Sequence, residues 1–191
     1  MRKRASTAAS ARTAAEYIRR LYGASGSVAA HALGTLHDMT IGTRLPDFDL
    51  STSGGGRISS DELRGTRAVL YFYPKDDTPG CTVEGQEFSR LLGEFEQHGA
   101  SVYGVSADSP KSHDKFMSKC SLSVPLISDP EHVLIGPLGL WVEKHYMGRT
   151  YMGIERSTFL VAPDGTIERE WRQVKAPGHA AEVLDAVRAS A

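Results

Sequence analysis

The stretch Arg67–Cys81, RAVLYFYPKDDTPGC, contains the clearest indication of the fold class in this sequence. Its first seven residues form a continuous apolar run rich in β-branched and aromatic side chains, which is typical of a strand covered on both faces. A short polar loop follows, after which Thr78 has the position of a helix N-cap and Pro79 that of the first helical residue. A buried strand that leads through a tight loop into a helix is a building unit of an α/β domain.

Signals for strands and helices alternate on both sides of this stretch. Upstream, RLPDFDLS (44–51) and RIS (57–59) flank a glycine-rich turn and predict a hairpin. Downstream, Phe88, Leu91, Leu92 and Phe95 have the spacing of an amphipathic helix. The other signals are strands at SVYGVSA (101–107) and VPLIS (124–128), a helix KSHDKFMSKC (111–120) capped by Ser109, a helical stretch opened by Asp129, a hairpin of STFLVA (157–162) and TIEREW (166–171), and a last helix after Gly178. We expect an α/β domain over residues 41–191, with a central mixed β-sheet flanked by helices and an N-terminal β-hairpin.

Composition and charge exclude several classes of protein. The 191 residues are 40% hydrophobic and 24% charged, which is usual for a soluble globular protein and excludes a collagen, a coiled coil or a fully disordered chain. No apolar run approaches the roughly 18 residues of a membrane-spanning helix. The net charge of −1 leaves no excess positive charge for a phosphate backbone or an anionic membrane. We therefore expect neither nucleic acid nor a membrane as a partner.

Residues 1–40 differ in composition from the rest. They hold six basic and two acidic side chains among many Ala, Ser and Gly residues, as an organelle transit peptide does. The alternative is a disordered or loosely helical extension, or an upstream start codon. We place this segment outside the fold and expect a cytoplasmic location, or a mitochondrion or plastid if the segment is a transit peptide.

The chain has two cysteines, Cys81 and Cys120. They are too few for a disulfide scaffold and lack the paired spacing of a zinc site, so we expect a reducing compartment and no metal or cofactor. Cys81 falls in the first helical turn after the carboxyl end of a buried strand, where α/β sheets place their sites. There the helix dipole, free amides and the Thr78 hydroxyl favour the thiolate. The alternative is a buried cysteine that acts as a small hydrophobe.

Pro74, Thr78 and Cys81 match the Pro-x-x-x-Thr-x-x-Cys motif of peroxiredoxins, and PKDDTPGCTVEG (74–85) resembles the peroxiredoxin Q branch, also called bacterioferritin comigratory proteins. Further matching segments are KSHDKF (111–116), PLISD (125–129), LWVEKHYMGRTYMGIERSTFLV (140–161) and VKAPGHAAEVL (174–184). The resemblance implies a thioredoxin-like fold and thiol-dependent reduction of hydrogen peroxide and organic hydroperoxides. It also implies a monomer that receives electrons from thioredoxin or a glutaredoxin-like dithiol protein.

By the same match, Cys81 would be the peroxidatic cysteine, Thr78 its hydroxyl partner and Arg156 the arginine that completes the site. Ionisation alone does not explain such reactivity, because about 3% of an ordinary thiol is already ionised at pH 7 and a lowered pKa costs nucleophilicity. The transition state must therefore be stabilised. Arg156 can hold sulfur and oxygen with its fork of donors, while the Thr78 hydroxyl and the amides of Gly80 and Cys81 position the peroxide. Pro74 would shape the loop and limit access of water.

Other polar and aromatic residues have two possible roles each. Arg156 could instead form a surface ion pair, and Glu84 either orients Arg156 or is a solvated charge on the helix. For the loop residues Lys75, Asp76 and Asp77 we expect a polar turn, with a catalytic role as the alternative. For His113 and His179 we expect helix-surface or capping positions, with a role as base or metal ligand as the alternative. Trp141 and Trp171 are expected to be packing residues.

The resolving thiol is where the chain departs from the commonest pattern of the branch. Many members carry a second cysteine five residues after the first, and that position is Gln86. Others carry it in the helix after the second strand, which makes Cys120 the candidate resolving cysteine; a one-cysteine enzyme is the alternative. Two other classes of function are alternatives. A dithiol oxidoreductase would need Cys-x-x-Cys, which Cys81 lacks, and a non-catalytic redox-sensing or holdase protein would not need an intact motif.

Overall fold

A computed structural model describes residues 40–190 of the chain. Seven strands form one mixed sheet: β1 (Asp49–Thr52), β2 (Arg57–Ser59), β3 (Arg67–Phe72), β4 (Ala100–Ser106), β5 (Leu126–Ser128), β8 (Ser157–Val161) and β9 (Ile167–Trp171). Their order is β2-β1-β5-β4-β3-β8-β9. β3 lies inside the sheet, parallel to β4 and antiparallel to β8. The predicted mixed sheet is confirmed, and β1 with β2 forms the predicted N-terminal hairpin.

Three helices cover this sheet: α1 (Pro79–Gln97), α2 (Pro110–Cys120) and α3 (His179–Ala189). Side chains of β3 alternate between two apolar cores. Val69 and Tyr71 pack with residues of all three helices, whereas Leu70 and Phe72 pack on the opposite face with apolar residues of 45–63 and of 134–140. Residues 68–73 are at most 1% exposed, so the predicted strand covered on both faces is confirmed. The architecture is the thioredoxin-like α/β fold.

The helical stretch that we predicted after Asp129 is wrong. Residues 130–139 form successive turns. The buried Asp129 carboxylate accepts the backbone N–H groups of Val133, Leu134 and Ile135 at 2.6 to 2.9 Å, as an N-cap side chain does. Gly136, Pro137 and Gly139 then stop a helix from continuing, because glycine and proline are poor residues for a helix interior.

A second, separate sheet consists of β6 (Trp141–Tyr146) and β7 (Arg149–Ile154). The two strands are antiparallel, with Tyr146 opposite Arg149. Both residues of the connecting turn, Met147 and Gly148, have positive φ angles of 48° and 74°, the backbone of a tight two-residue hairpin. This hairpin, which leads directly into Arg156, carries no turn signal that we recognised in the sequence.

Among residues 40–190, none of the helices combines the length and the apolar composition that crossing a bilayer requires. The predicted extension or transit peptide, residues 1–40, lies outside the described residues except for Thr40. The Thr40 hydroxyl donates a hydrogen bond to Glu170 of β9.

Candidate active site

Cys81 lies in the first turn of α1, just after the loop that leaves β3. Its side chain is 2% exposed. Thr78 occupies the predicted N-cap position with Pro79 as the first helical residue, but its hydroxyl donates to the Lys75 carbonyl oxygen at 3.1 Å and does not cap the helix. The N–H groups of the first turn have no acceptor within the helix. Cys81 is thus a buried sulfur at the positive end of a 19-residue helix.

Arg156 reaches this sulfur because of the strand register. β3 and β8 are antiparallel, with Phe72 opposite Ser157, so the residue before β8 lies beside the exit of β3. The Nη2 atom of Arg156 donates to Cys81 Sγ at 3.2 Å. A Cβ atom at Gly80 would lie 3.4 Å from that same Nη2, so the absence of a side chain there leaves room for the guanidinium.

Glu84, one turn beyond Cys81, is fully buried and forms an ion pair with Nη1 of Arg156. Burial raises the pKa of Glu84 to about 7, against the lowering effect of Arg156 and with a smaller raising effect of Glu87. Its second oxygen, Oε1, has no hydrogen-bond partner within the described residues. The interpretation of Glu84 as a solvated charge on the helix is therefore wrong. Its carboxylate contacts one side of the Arg156 guanidinium, and the other side of the guanidinium faces the Cys81 sulfur.

Pro74 is half-buried and opens the loop between β3 and α1. Asp76, two residues further, was predicted to belong to a polar turn but is only 7% exposed. It accepts hydrogen bonds from the Tyr73 hydroxyl at 2.8 Å and from Nδ1 of His113 at 3.0 Å. Burial by itself raises the pKa of Asp76, but the hydrogen bond and charge of His113, with bonds from Ser112 and Tyr73, lower it overall.

The helix-surface interpretation of both histidines is wrong. His113 is fully buried in α2, where its Nε2 atom faces the carbonyl of Ile127 at 3.3 Å. His179 is 4% exposed and its Nε2 atom lies 2.8 Å from the Thr158 hydroxyl. The amphipathic pattern of α2 does not predict that position 113 is buried. A buried imidazole is acceptable there because Asp76, 37 residues away in sequence, is its hydrogen-bond partner.

The two tryptophans differ. Trp171 is partly buried and its indole N–H donates to Glu182 at 2.9 Å. Trp141 was predicted to be a packing residue, but it is 39% exposed, with its ring centroid 4.2 Å from that of His132.

Cys120 is the last residue of α2 and is partly exposed. Its Sγ atom lies 3.9 Å from the hydroxyl of Thr82, the residue that follows Cys81. Its carbonyl accepts a hydrogen bond from Gln86 at 3.2 Å. Next to it, Lys119 forms an exposed ion pair with Asp77 of the loop before α1. The second thiol therefore lies against the first turns of α1, and both thiols are free.

Within residues 40–190, no three His, Cys, Asp or Glu side chains are grouped so that they could hold a metal ion. The chemistry available to this site is that of a buried thiol, a guanidinium and a carboxylate. Such a group can stabilise negative charge on sulfur and on an oxygen atom bound beside it.

Comparison with known proteins places this geometry in context. A model of the AhpC/TSA family matches residues 41–170. Peroxiredoxin Bcp of Xanthomonas campestris is 48% identical over 145 residues, which are 76% of this chain and 91% of that protein. Peroxiredoxin Bcp of Bacillus subtilis is 42% identical over 148 residues, which are 78% of this chain and 94% of that protein.

Solved structures are similar over the same region. A mutant of PrxQ from Xylella fastidiosa superposes with a TM-score of 0.76 at 43% identity, over 85% of this chain and 99% of that one. A Xanthomonas campestris bacterioferritin comigratory protein, studied for its alkyl peroxide reduction activity, superposes with a TM-score of 0.71 at 46% identity, over 75% of this chain and 91% of that one.

Proposed function

Because the chain belongs to the AhpC/TSA family, in its peroxiredoxin Q or bacterioferritin comigratory branch, and is a thiol-dependent peroxidase, we propose that Cys81 is its nucleophile. The observation that carries this assignment is the contact of Arg156 Nη2 with Cys81 Sγ at 3.2 Å. A cation so close to a buried sulfur stabilises negative charge that lies on the sulfur or develops beside it during the reaction. The substrates are hydrogen peroxide and organic hydroperoxides, and the biological role is antioxidant defence and redox homeostasis.

The first step is an in-line displacement at oxygen. The Cys81 thiolate attacks one oxygen of the hydroperoxide, the S–O bond forms and the O–O bond breaks. The departing hydroxide or alkoxide takes a proton and leaves as water or alcohol, and Cys81 becomes a sulfenic acid. Arg156 stabilises the charge that moves from sulfur to the leaving oxygen, because Nη2 lies beside Cys81 Sγ and the guanidinium presents several N–H donors in one plane.

Four further residues support this step: Gly80, Pro74, Thr78 and Glu84. The amides of Gly80 and Cys81, free of helix acceptors, hold the peroxide oxygens. Pro74 and Thr78 shape the loop around the sulfur, and Thr78 does so through its bond to Lys75. Glu84 keeps the guanidinium plane in the orientation that serves Cys81.

Cys120 is the proposed resolving cysteine. Its thiol condenses with the Cys81 sulfenic acid, so that an S–S bond forms and water leaves. The 3.9 Å contact between Cys120 and Thr82 supports this role. Cys81 is buried and its sulfur contacts Arg156. We therefore propose that the first turn of α1 unwinds to let the two sulfurs meet, with the α-carbons within the about 7 Å that a disulfide needs. A dithiol protein such as thioredoxin or a glutaredoxin-like reductant then regenerates both thiols.

The decisive experiment compares Cys81→Ser with Cys120→Ser in peroxide consumption coupled to a thioredoxin system. Cys81→Ser should abolish turnover, because serine supplies neither a nucleophile nor a recoverable oxidised form. Cys120→Ser should keep the first turnover and lose recycling. Residual turnover of Cys81→Ser above about one per cent of the wild-type rate would contradict the assignment.

Mass spectrometry after one equivalent of peroxide tests the resolving step separately. We expect an intramolecular Cys81–Cys120 disulfide. A protein with sulfenic or sulfinic acid at Cys81 and a free thiol at Cys120 would establish a one-cysteine enzyme instead.

Two further properties complete the proposal. We propose a monomer, which sedimentation at several protein concentrations tests. We propose a cytoplasmic location, because recycling by a dithiol protein needs a compartment that keeps thiols reduced. A fluorescent protein fused after residues 1–40 would reveal targeting to an organelle if that segment were a transit peptide.

A further inference from the structure

Lys144 is a charged side chain of the β6–β7 hairpin that the catalytic scheme does not use. It is partly buried, and its Nζ atom donates to the Ile154 carbonyl oxygen at 2.5 Å. Ile154 is the last residue of β7, is 1% exposed and stands two residues before Arg156. The ammonium is therefore fixed at the point where the chain leaves the hairpin for the active site.

The register of the β6–β7 hairpin explains how the Lys144 side chain reaches the Ile154 carbonyl. Lys144 lies opposite Tyr151, so Gly153 is its diagonal neighbour on the same face. A Cβ atom at Gly153 would lie 3.4 Å from Cδ of Lys144 and 3.3 Å from the Tyr151 ring. With glycine there, the lysine stem lies flat across β7 and reaches the Ile154 carbonyl.

The charges around Lys144 belong to the active site. Burial and the positive charge of Arg156 lower the pKa of Lys144, while Glu155 and Cys81 act in the opposite direction. What fixes the ammonium among these charges is its bond to the Ile154 carbonyl oxygen.

We propose that Lys144 is a positioning residue of the peroxidatic site: its ammonium, fixed on the Ile154 carbonyl, holds the end of β7 from which Arg156 follows and so keeps the guanidinium against Cys81. The inference rests on the proposed role of Cys81 as the nucleophile. It assigns the hairpin a part in the chemistry, because the end of β7 then sets where Arg156 meets the sulfur that α1 holds in place.

The test uses Lys144→Met, which keeps the length of the side chain and removes its charge, in a Cys120→Ser background with Cys81 as the only thiol. We expect the rate constant for hydrogen peroxide at pH 6 to 7 to fall by about tenfold. The pH at which alkylation of Cys81 by iodoacetamide is half-maximal should move upward by about half a unit or more. At high pH, where the thiol is ionised in both proteins, the two alkylation rates should converge.

Two matched variants separate the bond to Ile154 from the general charge of the hairpin. Lys144→Arg keeps a charged donor and should restore most of the rate and the alkylation midpoint. Arg149→Met removes one positive charge from an exposed position of the same hairpin and should leave both readouts unchanged. A loss of thermal stability alone, without a change in the alkylation midpoint, would overturn the proposal.

Failure of this inference is distinct from failure of the proposed nucleophile. If Cys81→Ser is inactive while Lys144→Met has the wild-type rate and midpoint, Cys81 stands and Lys144 has no part in the site. If Cys81→Ser still turns over peroxide, the proposed function fails first, whatever the lysine variants do.

Discussion

Arg156 contacts the Cys81 sulfur with one terminal nitrogen and the Glu84 carboxylate with the other. Only a planar fork makes both contacts at once, whereas a lysine ammonium is a single point of charge. We expect Arg156→Lys to lower the rate constant with peroxide by about tenfold or more, measured by stopped-flow fluorescence. Arg90→Lys, at an exposed position of α1, is the control. A variant as fast as the wild type would remove Arg156 from the transition state.

Glu84 makes stability depend on pH. Its pKa is about 7 in the folded protein, against an ordinary value of 4.5, so the folded state binds a proton more tightly than the unfolded state does. The resulting stabilisation is complete below pH 4.5 and is lost as the pH rises through 7. Glu84→Gln should remove this dependence, which amounts to roughly 3 kcal/mol over that range. Urea titrations from pH 4.5 to 8, with Glu96→Gln as an exposed control, measure it; parallel curves for wild type and Glu84→Gln would contradict it.

α2 is joined to the active-site loop by one buried pair, Asp76 with His113, and by the exposed pair of Asp77 with Lys119. The buried pair should dominate, because exposed ion pairs contribute little and a buried charge left without its partner is costly. His113→Leu should lower the free energy of unfolding by about 3 kcal/mol at pH 7, measured by chemical denaturation. His113→Asn keeps a donor near the position of Nδ1 and should lose clearly less; equal losses would mean that the hydrogen bond to Asp76 is unimportant.

The elements that the sequence predicted are those whose pattern is local. β3 is a continuous apolar run, and the start of α1 is marked by Thr78 and Pro79, so Cys81 could be placed from neighbours in sequence. The burial of His113 could not be predicted in this way, because the carboxylate that makes it acceptable, that of Asp76, is distant in sequence. The turns after Asp129 could not be predicted either, because the Asp129 side chain binds their N–H groups as it would bind those of a helix. Lys144 gave no signal either, since its partner is a backbone carbonyl across a hairpin.

Every group of the proposed mechanism lies within residues 40–190, which the structure describes. Thr40 is tied to β9 through Glu170, and the sheet, helices and hairpin all follow it. We therefore expect deletion of residues 1–39 to leave the rate of peroxide reduction and the Tm nearly unchanged. Calorimetry and a coupled peroxidase assay on both lengths of the protein check this expectation, and a large drop in either would show that the segment contributes to the domain.

The position of β3 inside the sheet has a consequence during synthesis. Phe72 pairs with Ser157, 85 positions later, so β3 is translated long before its antiparallel neighbour exists. At about 5 to 20 residues per second, the ribosome needs several seconds to supply β8. Throughout that interval an apolar strand with an unpaired edge is exposed on the nascent chain, which is the condition under which strands associate with the wrong partner. The yield of this protein in a cell should accordingly depend on nascent-chain chaperones more than the stability of its finished fold suggests.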